Sequence, residues 1–306
     1  MNKDELIQKI KEDNHSGATE LTREAARVLS LEIESKSHYS VEGFRKGLLA
    51  TARALLSAQP AMASIFNLVN NCMLGIRPAR PEVEESLPEV KAAAAKTVND
   101  FIAALEENRL QIAAQGAAMI EDYYTVLTHS ASSAVASALT AARGQGKDFT
   151  VICTESRPIF EGRGMAERLA SCGIRVKLVA DASALQFLAE TQLVLVGADT
   201  VGSFGVINKI GTYGLALGAK AAGVPFYVLA TTEKVLPAEA PLPLKEEPKD
   251  PRELWERTPP GLEVINLYFD LTPLSYLTAV VTEKGKVRPE QLAALSASLE
   301  LFPELR

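Results

Sequence analysis

The segment Gly197-Ala-Asp-Thr-Val-Gly-Ser-Phe-Gly-Val-Ile-Asn-Lys-Ile-Gly-Thr-Tyr213 is the most informative part of the chain. It follows an apolar run at 193–196, which is typical of a buried strand, and it precedes a predicted helix at 214–222. In a parallel sheet such a strand-to-helix turn lies at the carboxyl ends of the strands, where ligands bind. Its glycines let backbone N–H groups approach a ligand, and Asn208 and Lys209 add side-chain donors. The segment therefore predicts a site for a small, polar, phosphorylated ligand.

Outward from this segment, the second part of the chain alternates between two patterns. Apolar runs typical of strands occur at 124–128, 149–153, 175–179, 193–196, 225–229 and 264–269, and helical patterns occur at 131–142, 164–172 and 212–222. This alternation predicts an α/β fold with a parallel sheet over residues 121–306. Residues 1–120 show helical periods alone, which predict a helical N-terminal domain. The proline-rich piece 237–260 is predicted to be a loop or excursion.

Composition excludes several classes of protein. A formal charge of −6 over 306 residues argues against direct nucleic-acid binding or a membrane-surface role. Three widely spaced cysteines do not form a disulfide framework, and the N-terminus lacks the apolar core of a signal peptide, so a cytoplasmic location is expected. No apolar run is long enough to span a bilayer. The three histidines have no metal-ligand spacing, and no fingerprint for a bound cofactor is present, so neither a metal nor a cofactor is predicted.

Polar residues follow each predicted parallel strand. These clusters are Thr128-His-Ser130, Thr154-Glu-Ser-Arg-Pro158, Asp181-Ala-Ser183, Asp199-Thr200 and Thr231-Thr-Glu-Lys234. Since the carboxyl ends of parallel strands meet at one edge of a sheet, the clusters predict a site there. The alternative is that strand ends need turn-forming residues, among which Thr, Ser and Asp are common. Arg157, Asp199, Glu233 and Lys234 exceed what turns require, which favours a site.

Several candidate residues also have simpler explanations. His129 is either a general acid or base or a buried histidine with its hydrogen bonds satisfied, and the sequence leaves both open. Cys153 lies inside an apolar strand, where packing is a better explanation than nucleophilic chemistry. Asp181 could cap the following helix or contact a ligand. Asp199 is the strongest candidate, because burial would raise its pKa and a nearby lysine would lower it.

The order of these motifs resembles one known superfamily. The quoted segments at 128–130, 154–158, 197–199 and 208–212, with Phe269-Asp-Leu-Thr-Pro273 and Thr282-Glu-Lys-Gly285, are similar to those of translation initiation factor 2B regulatory subunits, methylthioribose-1-phosphate isomerase and ribose-1,5-bisphosphate isomerase. The resemblance is clear from about residue 124 to 288 and weaker before it. It implies a helical N-terminal domain (1–120) and a Rossmann-like C-terminal domain (121–306). It also implies homodimers or higher homo-oligomers, with a phosphosugar or nucleotide pocket between the domains.

The resemblance also assigns residues and exposes two departures. The isomerases of the superfamily use an aspartate, which Asp199 matches, and a cysteine, in whose place stands Ser130. A hydroxyl titrates far above a thiol, whose pKa is about 8.5, so this change removes most acid–base capability. Gln59 stands where the isomerases have an arginine. Glutamine lacks the positive charge with which an arginine binds phosphate. The expected ligand-binding residues are His129, Arg157, Gly197, Asn208, Lys209 and Gln59.

Two functions follow from this pattern. Because Ser130 replaces the cysteine, the first is a protein related to initiation factor 2B that binds a phosphorylated sugar or nucleotide without isomerase turnover. The alternative is an aldose–ketose phosphosugar isomerase acting through Asp199 and a second group such as His129 or Glu233. The sequence favours the first. The expected partners are a phosphorylated small molecule, further copies of the chain and, in an organism that has it, initiation factor 2.

Overall fold

The computed structural model describes residues 1–14, 16–78, 85–242 and 248–306. In its N-terminal half the described helices are α1 Lys3–Glu12, α2 Ala18–Glu34, α3 Val41–Ala58, α4 Ala63–Gly75 and α5 Leu87–Ala117. The helical periods predict α2 to α5 correctly, whereas α1 precedes the first predicted helix. Asn2 and Ser86 begin α1 and α5 with capping boxes, in which a side chain accepts from the helix backbone. None of the described helices is both long and apolar enough to cross a bilayer.

The core of the helical half includes residues from the far end of the chain. Phe44, Leu48 and Leu55 of α3 are fully buried there, and Phe302 packs in the same cluster. The C-terminal segment is fixed by the Asn70 side chain, whose Oδ1 accepts from the Phe302 N–H at 2.7 Å and whose Nδ2 donates to a backbone carbonyl at 2.8 Å. The last residues of the chain thus pack against the helical half.

The second half contains ten strands and four α-helices in the described residues. The strands are β1 Thr125–Thr128, β2 Thr150–Thr154, β3 Arg175–Val179, β4 Leu193–Val196, β5 Thr200–Gly202, β6 Gly205–Lys209, β7 Phe226–Leu229, β8 Phe269–Thr272, β9 Ala279–Thr282 and β10 Gly285–Val287. The helices are α6 Ser133–Gly144, α7 Glu161–Ser171, α8 Thr212–Ala222 and α9 Pro289–Ala297. The predicted α/β class is confirmed.

The main sheet has seven strands in the order β10-β9-β7-β4-β1-β2-β3. All neighbouring pairs are parallel except β9 and β10. The chain builds β1, β2 and β3 toward one edge and then returns to place β4 on the other side of β1. In open α/β sheets the crevice at such a reversal, beyond the carboxyl ends of the strands, is where ligands bind. The chain reaches this crevice directly after β1 and directly after β4.

The segment 197–213 is not a single turn, so that part of the sequence prediction is wrong. It contains the hairpin of β5 and β6, and β6 pairs with β8 in a separate antiparallel sheet. Gly205 has φ 141°, and a Cβ there would lie 2.5 Å from the Thr272 carbonyl oxygen, so glycine is required where the hairpin crosses β8. The predicted strand at 264–269 is also misplaced, because β8 begins where that run ends. Within the predicted excursion 237–260, residues 243–247 lie outside the described part.

Candidate functional site

A cavity of about 1030 Å³ lies between the helical half and the carboxyl ends of the parallel strands. Gln59 and Met62 line it from the helical side. From the sheet side it is lined by residues that include Ser130 after β1, Glu161 after β2, Asp199 after β4, Lys209 at the end of β6, and Tyr268 and Lys249. These positions coincide with the crevice where the strand order reverses. The cavity therefore unites chain segments that are far apart in sequence.

Backbone contacts join the ends of β1, β2 and β3 beside the cavity. The Ser130 N–H donates to Ser156 Oγ at 2.8 Å, and the Asp181 carboxylate accepts from the N–H groups of Ser156 and Arg157, both at 2.7 Å. Ser130 and Ser156 have left-handed backbones, with φ 68° and 61°. Asp181 thus neither caps a helix nor lines the cavity, which corrects both explanations offered from the sequence.

Asp199 is placed by both halves of the protein. Its N–H donates to the Ile207 carbonyl at 2.9 Å, and its own carbonyl accepts from the N–H of Ala63, at the start of α4, at 3.2 Å. Burial raises the pKa of the Asp199 carboxyl, while the nearby ammonium groups of Lys234 and Lys209 act in the opposite direction. A carboxyl with a raised pKa keeps its proton to higher pH, so Asp199 is suited to act as a general acid.

Ser130, Glu161 and Lys209 form a connected polar cluster on the cavity wall. Ser130 Oγ donates to Glu161 Oε1 at 2.9 Å, and Lys209 Nζ donates to the same oxygen at 2.9 Å. Glu161 Oε2 is buried and has no hydrogen-bond partner among the described residues. Lys209 Nζ also lies 4.6 Å from the centre of the Tyr268 ring. The Ser130 hydroxyl, which the sequence analysis treats as an unassisted group, is therefore hydrogen-bonded to a carboxylate.

Glu161 is a site residue that the sequence did not reveal. It is the first residue of α7, after Phe160, whose backbone is left-handed with φ 60°. An acidic residue in the first turn of a helix is common, because it interacts favourably with the helix dipole. Its sequence position alone therefore gives no reason to connect it with Ser130, which lies 31 residues earlier.

Three of the sequence-predicted ligand residues lie behind the cavity wall among the described residues. His129 Nε2 bonds the Ile210 carbonyl at 2.8 Å and Nδ1 bonds Thr154 Oγ1 at 2.7 Å. Burial lowers the pKa of His129, so the neutral ring donates through Nε2 and accepts through Nδ1. Asn208 Nδ2 donates to a threonine hydroxyl at 3.0 Å. At Gly197 a Cβ would lie 2.5 Å from Ser132 Oγ, so the absence of a side chain allows close packing.

Gln59 and Arg157 have contrasting positions. Gln59 lines the cavity, and its Nε2 donates to the Ile10 and Asp13 carbonyls at 2.7 and 3.2 Å. Arg157 does not line the described cavity, since its guanidinium donates to the Glu253 carbonyl at 3.2 Å and lies 4.7 Å from the Phe160 ring centre. Their roles in binding stay predictions.

The described lining of the cavity carries equal numbers of basic and acidic side chains. These are five cations, Arg23, Arg109, Arg168, Lys209 and Lys249, and five carboxylates, Asp13, Glu20, Glu24, Glu161 and Asp199. Lys209 is paired with Glu161, whereas Lys249 forms no ion pair with the described residues and lies 5.4 Å from the Tyr268 ring centre. Tyr268 thus has an ammonium group of each lysine beside its ring.

Two further candidates lie apart from this cavity. Glu233 accepts from Thr231 Oγ1 at 2.5 Å and from Asn108 at 3.2 Å, and it lines a separate cavity of about 20 Å³. Burial raises the pKa of Glu233. Cys153 is buried inside β2, which raises the pKa of its thiol to about 12 and disfavours the reactive thiolate. Within the described residues, no group of three or more His, Cys, Asp or Glu side chains is arranged to hold a metal ion.

The sequence and fold are similar to those of known proteins. The initiation factor 2 subunit family matches residues 14–289. A ribose 1,5-bisphosphate isomerase from Archaeoglobus fulgidus is 36% identical over 291 residues, covering 94% of this chain and 90% of the relative. A putative translation initiation factor eIF-2B subunit 2-like protein from Pyrococcus furiosus is 34% identical over 285 residues, covering 93% and 95%. The translation initiation factor eIF-2B structure from Pyrococcus horikoshii has a TM-score of 0.80 at 28% identity, covering 94% of this chain and 98% of that one.

These similarities confirm the resemblance inferred from the motifs and correct the function inferred from Ser130. Relatives named ribose 1,5-bisphosphate isomerase, from several archaea, are 31–36% identical over most of the chain. The expectation of binding without turnover is therefore wrong, and the isomerase alternative is better supported. That expectation considered the Ser130 hydroxyl in isolation, whereas a carboxylate oxygen lies 2.9 Å from it.

Proposed function

Because the chain belongs to the initiation factor 2 subunit family, we propose that it is an aldose–ketose isomerase that acts on ribose 1,5-bisphosphate or a closely related sugar phosphate. The observation that carries the proposal is the position of Asp199, which lines the cavity just after β4 at the crevice of the sheet, where desolvation raises the pKa of its carboxyl. The identity of 36% to a ribose 1,5-bisphosphate isomerase supports the choice of substrate class.

The reaction needs an acid and a base on the same sugar. In ribose 1,5-bisphosphate the anomeric oxygen carries a phosphate, so the ring opens only when the bond between C1 and the ring oxygen breaks. A base removes the C2 proton, the C–H electrons form a C1–C2 double bond, and the ring oxygen leaves with a proton from an acid. Return of a proton to C1 and loss of the C2 hydroxyl proton then give the ketose. Asp199 is the acid in this scheme.

The phosphate contacts belong to the lysines beside Tyr268. Lys249 lines the cavity, with its ammonium group 5.4 Å from the Tyr268 ring centre, and an ammonium group in this position can bind a phosphate. Lys209, which pairs with Glu161, places a second ammonium group beside the Tyr268 ring. We assign one phosphate of the substrate to this pair of lysines. The net reaction neither oxidises nor reduces the sugar, so the proposal includes no redox cofactor.

The same proposal includes a cellular setting. We propose a cytoplasmic location, which the lack of a disulfide pattern in the sequence supports. We also propose a homodimer or higher homo-oligomer, as the resemblance to the superfamily implies. Initiation factor 2 as a further partner is a prediction that depends on the organism.

The test is conversion of ribose 1,5-bisphosphate by the purified protein, followed by ³¹P NMR. Wild type is expected to form ribulose 1,5-bisphosphate, and Asp199→Asn is expected to lose at least about 100-fold in kcat, since general acid catalysis contributes 10²–10⁴-fold. Asp100→Asn is the control, because Asp100 is exposed on α5 and pairs with Lys96. Equal rates in Asp199→Asn and Asp100→Asn would exclude Asp199 as the acid.

A further inference from the structure

We propose that Glu161 is the proton acceptor for Ser130, so that a serine–glutamate pair is the base that removes the C2 proton of the sugar. The inference rests on the proposed isomerase function and names a residue that completes it. Ser130 contacts the substrate and is the catalytic residue of the pair. Glu161 acts through Ser130 and is therefore a positioning and proton-accepting residue.

The geometry of the pair carries this assignment. The Ser130 hydroxyl donates to Glu161 Oε1 at 2.9 Å, which is within the range required of a general base. Among the described residues this is the one hydrogen bond made by the Ser130 hydroxyl. Both residues line the cavity that also contains Asp199. An acid and a hydroxyl–carboxylate pair thus face one substrate-sized space.

The surrounding structure holds the pair in place. The left-handed backbone of Ser130 is fixed by the bond from its N–H to Ser156 Oγ. Glu161 is fixed at the start of α7, because Gly162 packs so closely on β2 that a Cβ would lie 1.9 Å from the Thr154 carbonyl oxygen. Lys209 Nζ binds the same oxygen of Glu161 at 2.9 Å and holds that oxygen beside Ser130. Such preorganisation is expected of a catalytic pair rather than of a chance contact.

Other bases in this region are less suitable. Both ring nitrogens of His129 are engaged with Ile210 and Thr154, and the ring does not line the described cavity. Glu233 lines a different cavity. Glu161 also has a second oxygen, Oε2, that is buried without a partner among the described residues. A buried carboxylate oxygen without a hydrogen bond is costly, and such exceptions occur at sites of function.

The proton transfers balance over the full reaction. The C2 proton passes to Ser130 Oγ as the hydroxyl proton of Ser130 passes to Glu161 Oε1. The electrons of the C2–H bond form the C1–C2 double bond, and the ring oxygen leaves with the proton of Asp199. In the second half, Glu161 returns its proton through Ser130 to C1, and the C2 hydroxyl proton restores Asp199. The product is an isomer of the substrate, and all three side chains regain their starting forms.

The test is a double-mutant cycle between positions 130 and 161, with kcat as the readout. In the serine background, Glu161→Gln is expected to lower kcat about 100-fold. In the Ser130→Cys background the same change is expected to cost less than about threefold, because a thiol with a pKa near 8.5 exchanges its own proton. A merely structural role of Glu161 would lower kcat equally in both backgrounds.

The control is Glu155→Gln, since Glu155 lies on the same loop and pairs with Arg163 at 2.8 Å outside the cavity lining. Ser130→Ala provides a second variant if Glu161→Gln does not fold. It is expected to match the loss in Glu161→Gln, and the double variant to be no worse, because the two residues act as a unit.

Three results would overturn the inference, and only the last of them would also overturn the proposed function. If wild type converts the sugar and Glu161→Gln or Ser130→Ala retains the turnover of Glu155→Gln, the pair is not the base and the isomerase function stands. An equal loss of kcat for Glu161→Gln in the serine and cysteine backgrounds leads to the same conclusion. If wild type and Ser130→Cys both fail to convert a sugar that they bind, the proposed function fails and the role of Glu161 with it.

Discussion

Asp199 is subject to opposing influences that together define its chemistry. Burial raises the pKa of its carboxyl, and the ammonium groups of Lys234 and Lys209 lower it without cancelling the effect of burial. A proton-donating group is useful near neutral pH only when its pKa is moved toward that range. The same burial that suits Asp199 to catalysis should therefore make its ionised form a cost to stability.

We expect Asp199→Asn to stabilise the folded protein at pH 8 more than at pH 5. The folded carboxyl binds its proton more tightly than the unfolded one, so the stability it contributes is complete below the ordinary pKa of 3.8 and is lost as pH rises through the folded value. Asparagine does not ionise and avoids this loss. The melting temperature of Asp199→Asn should exceed that of wild type by a few degrees at pH 8. A margin that shrinks from pH 5 to pH 8 would contradict the direction of the shift.

Lys249 provides a residue-level test of phosphate binding. Lys249→Ala is expected to raise KM for ribose 1,5-bisphosphate about tenfold with little change in kcat, because the contact is made in ground and transition states alike. The matched control is Lys286→Ala, since Lys286 also lies over a tyrosine ring, that of Tyr227, at 5.2 Å. Equal KM values for the two variants would remove Lys249 from the phosphate site.

Single residues of the site differ in how far the sequence predicts them. Asp199 and Lys209 were identifiable because glycines and a preceding apolar strand mark their segment, and both line the cavity. Arg157 carries the same kind of signal, yet its guanidinium bonds backbone carbonyls elsewhere. Nothing in the sequence marks Glu161 as a site residue, because its candidate role depends on a contact with Ser130, which follows a different strand. Side-chain direction and contacts between distant segments are what the sequence did not supply.

Among the elements, the junction of β2 and α7 does most to fix the pair of Ser130 and Glu161. The loop between them places Ser156 under Ser130 and Glu161 beside it. Gly162 allows α7 to begin in contact with the Thr154 carbonyl. The position of α7 relative to the sheet is therefore set by the absence of one side chain.

We expect Gly162→Ala and Gly164→Ala to have opposite effects on stability. At Gly162 a Cβ would lie 1.9 Å from the Thr154 carbonyl oxygen, so the helix must shift, at a cost of about 3 kcal/mol. At Gly164, in the same helix, no atom lies within 4 Å of the added Cβ, and alanine should stabilise by about 0.5–1 kcal/mol. Urea denaturation measures both. A neutral Gly162→Ala would mean that α7 does not lie this close to β2.

Elements were predicted well where their patterns are long and buried. The runs at 124–128, 149–153, 175–179, 193–196 and 225–229 correspond to β1, β2, β3, β4 and β7. The hairpin of β5 and β6 was missed because β5 has only three residues and both strands have a glycine at the turn. The remaining apolar residues are too few to show an alternating strand pattern. The strand β8 was misplaced because its pairing with β6 is decided by a long-range contact.

At the scale of the whole molecule, contacts between the two halves of the described chain include the following three. Helix α5 contributes Val90, Ala94 and Val98 to the helical core and Ile112 and Ala117 to a core beside the sheet. The start of α4 bonds the backbone of the Asp199 segment. The C-terminal residues return to the helical half. The predicted boundary near residue 120 stays a prediction, since both α5 and the C-terminus connect the halves.

Phe302→Ala is expected to destabilise the entire protein rather than one end of it. Phe302 is 9% exposed, packs in the helical core and is anchored by Asn70, so truncation should cost about 3–5 kcal/mol. Because α5 belongs to both cores, calorimetry should show a single transition at lower temperature. Two separated transitions would show that the helical half unfolds independently of the sheet.

The central claim is that this cavity converts a sugar phosphate and does not merely hold it. The most direct measurement is ¹³C NMR of ribose 1,5-bisphosphate labelled at C1, incubated with the wild-type protein at a concentration that raises its melting temperature. The account predicts that the anomeric C1 resonance disappears and that the methylene C1 resonance of ribulose 1,5-bisphosphate takes its place. An anomeric resonance that persists unchanged while the melting temperature rises would show binding without isomerisation and would contradict the account.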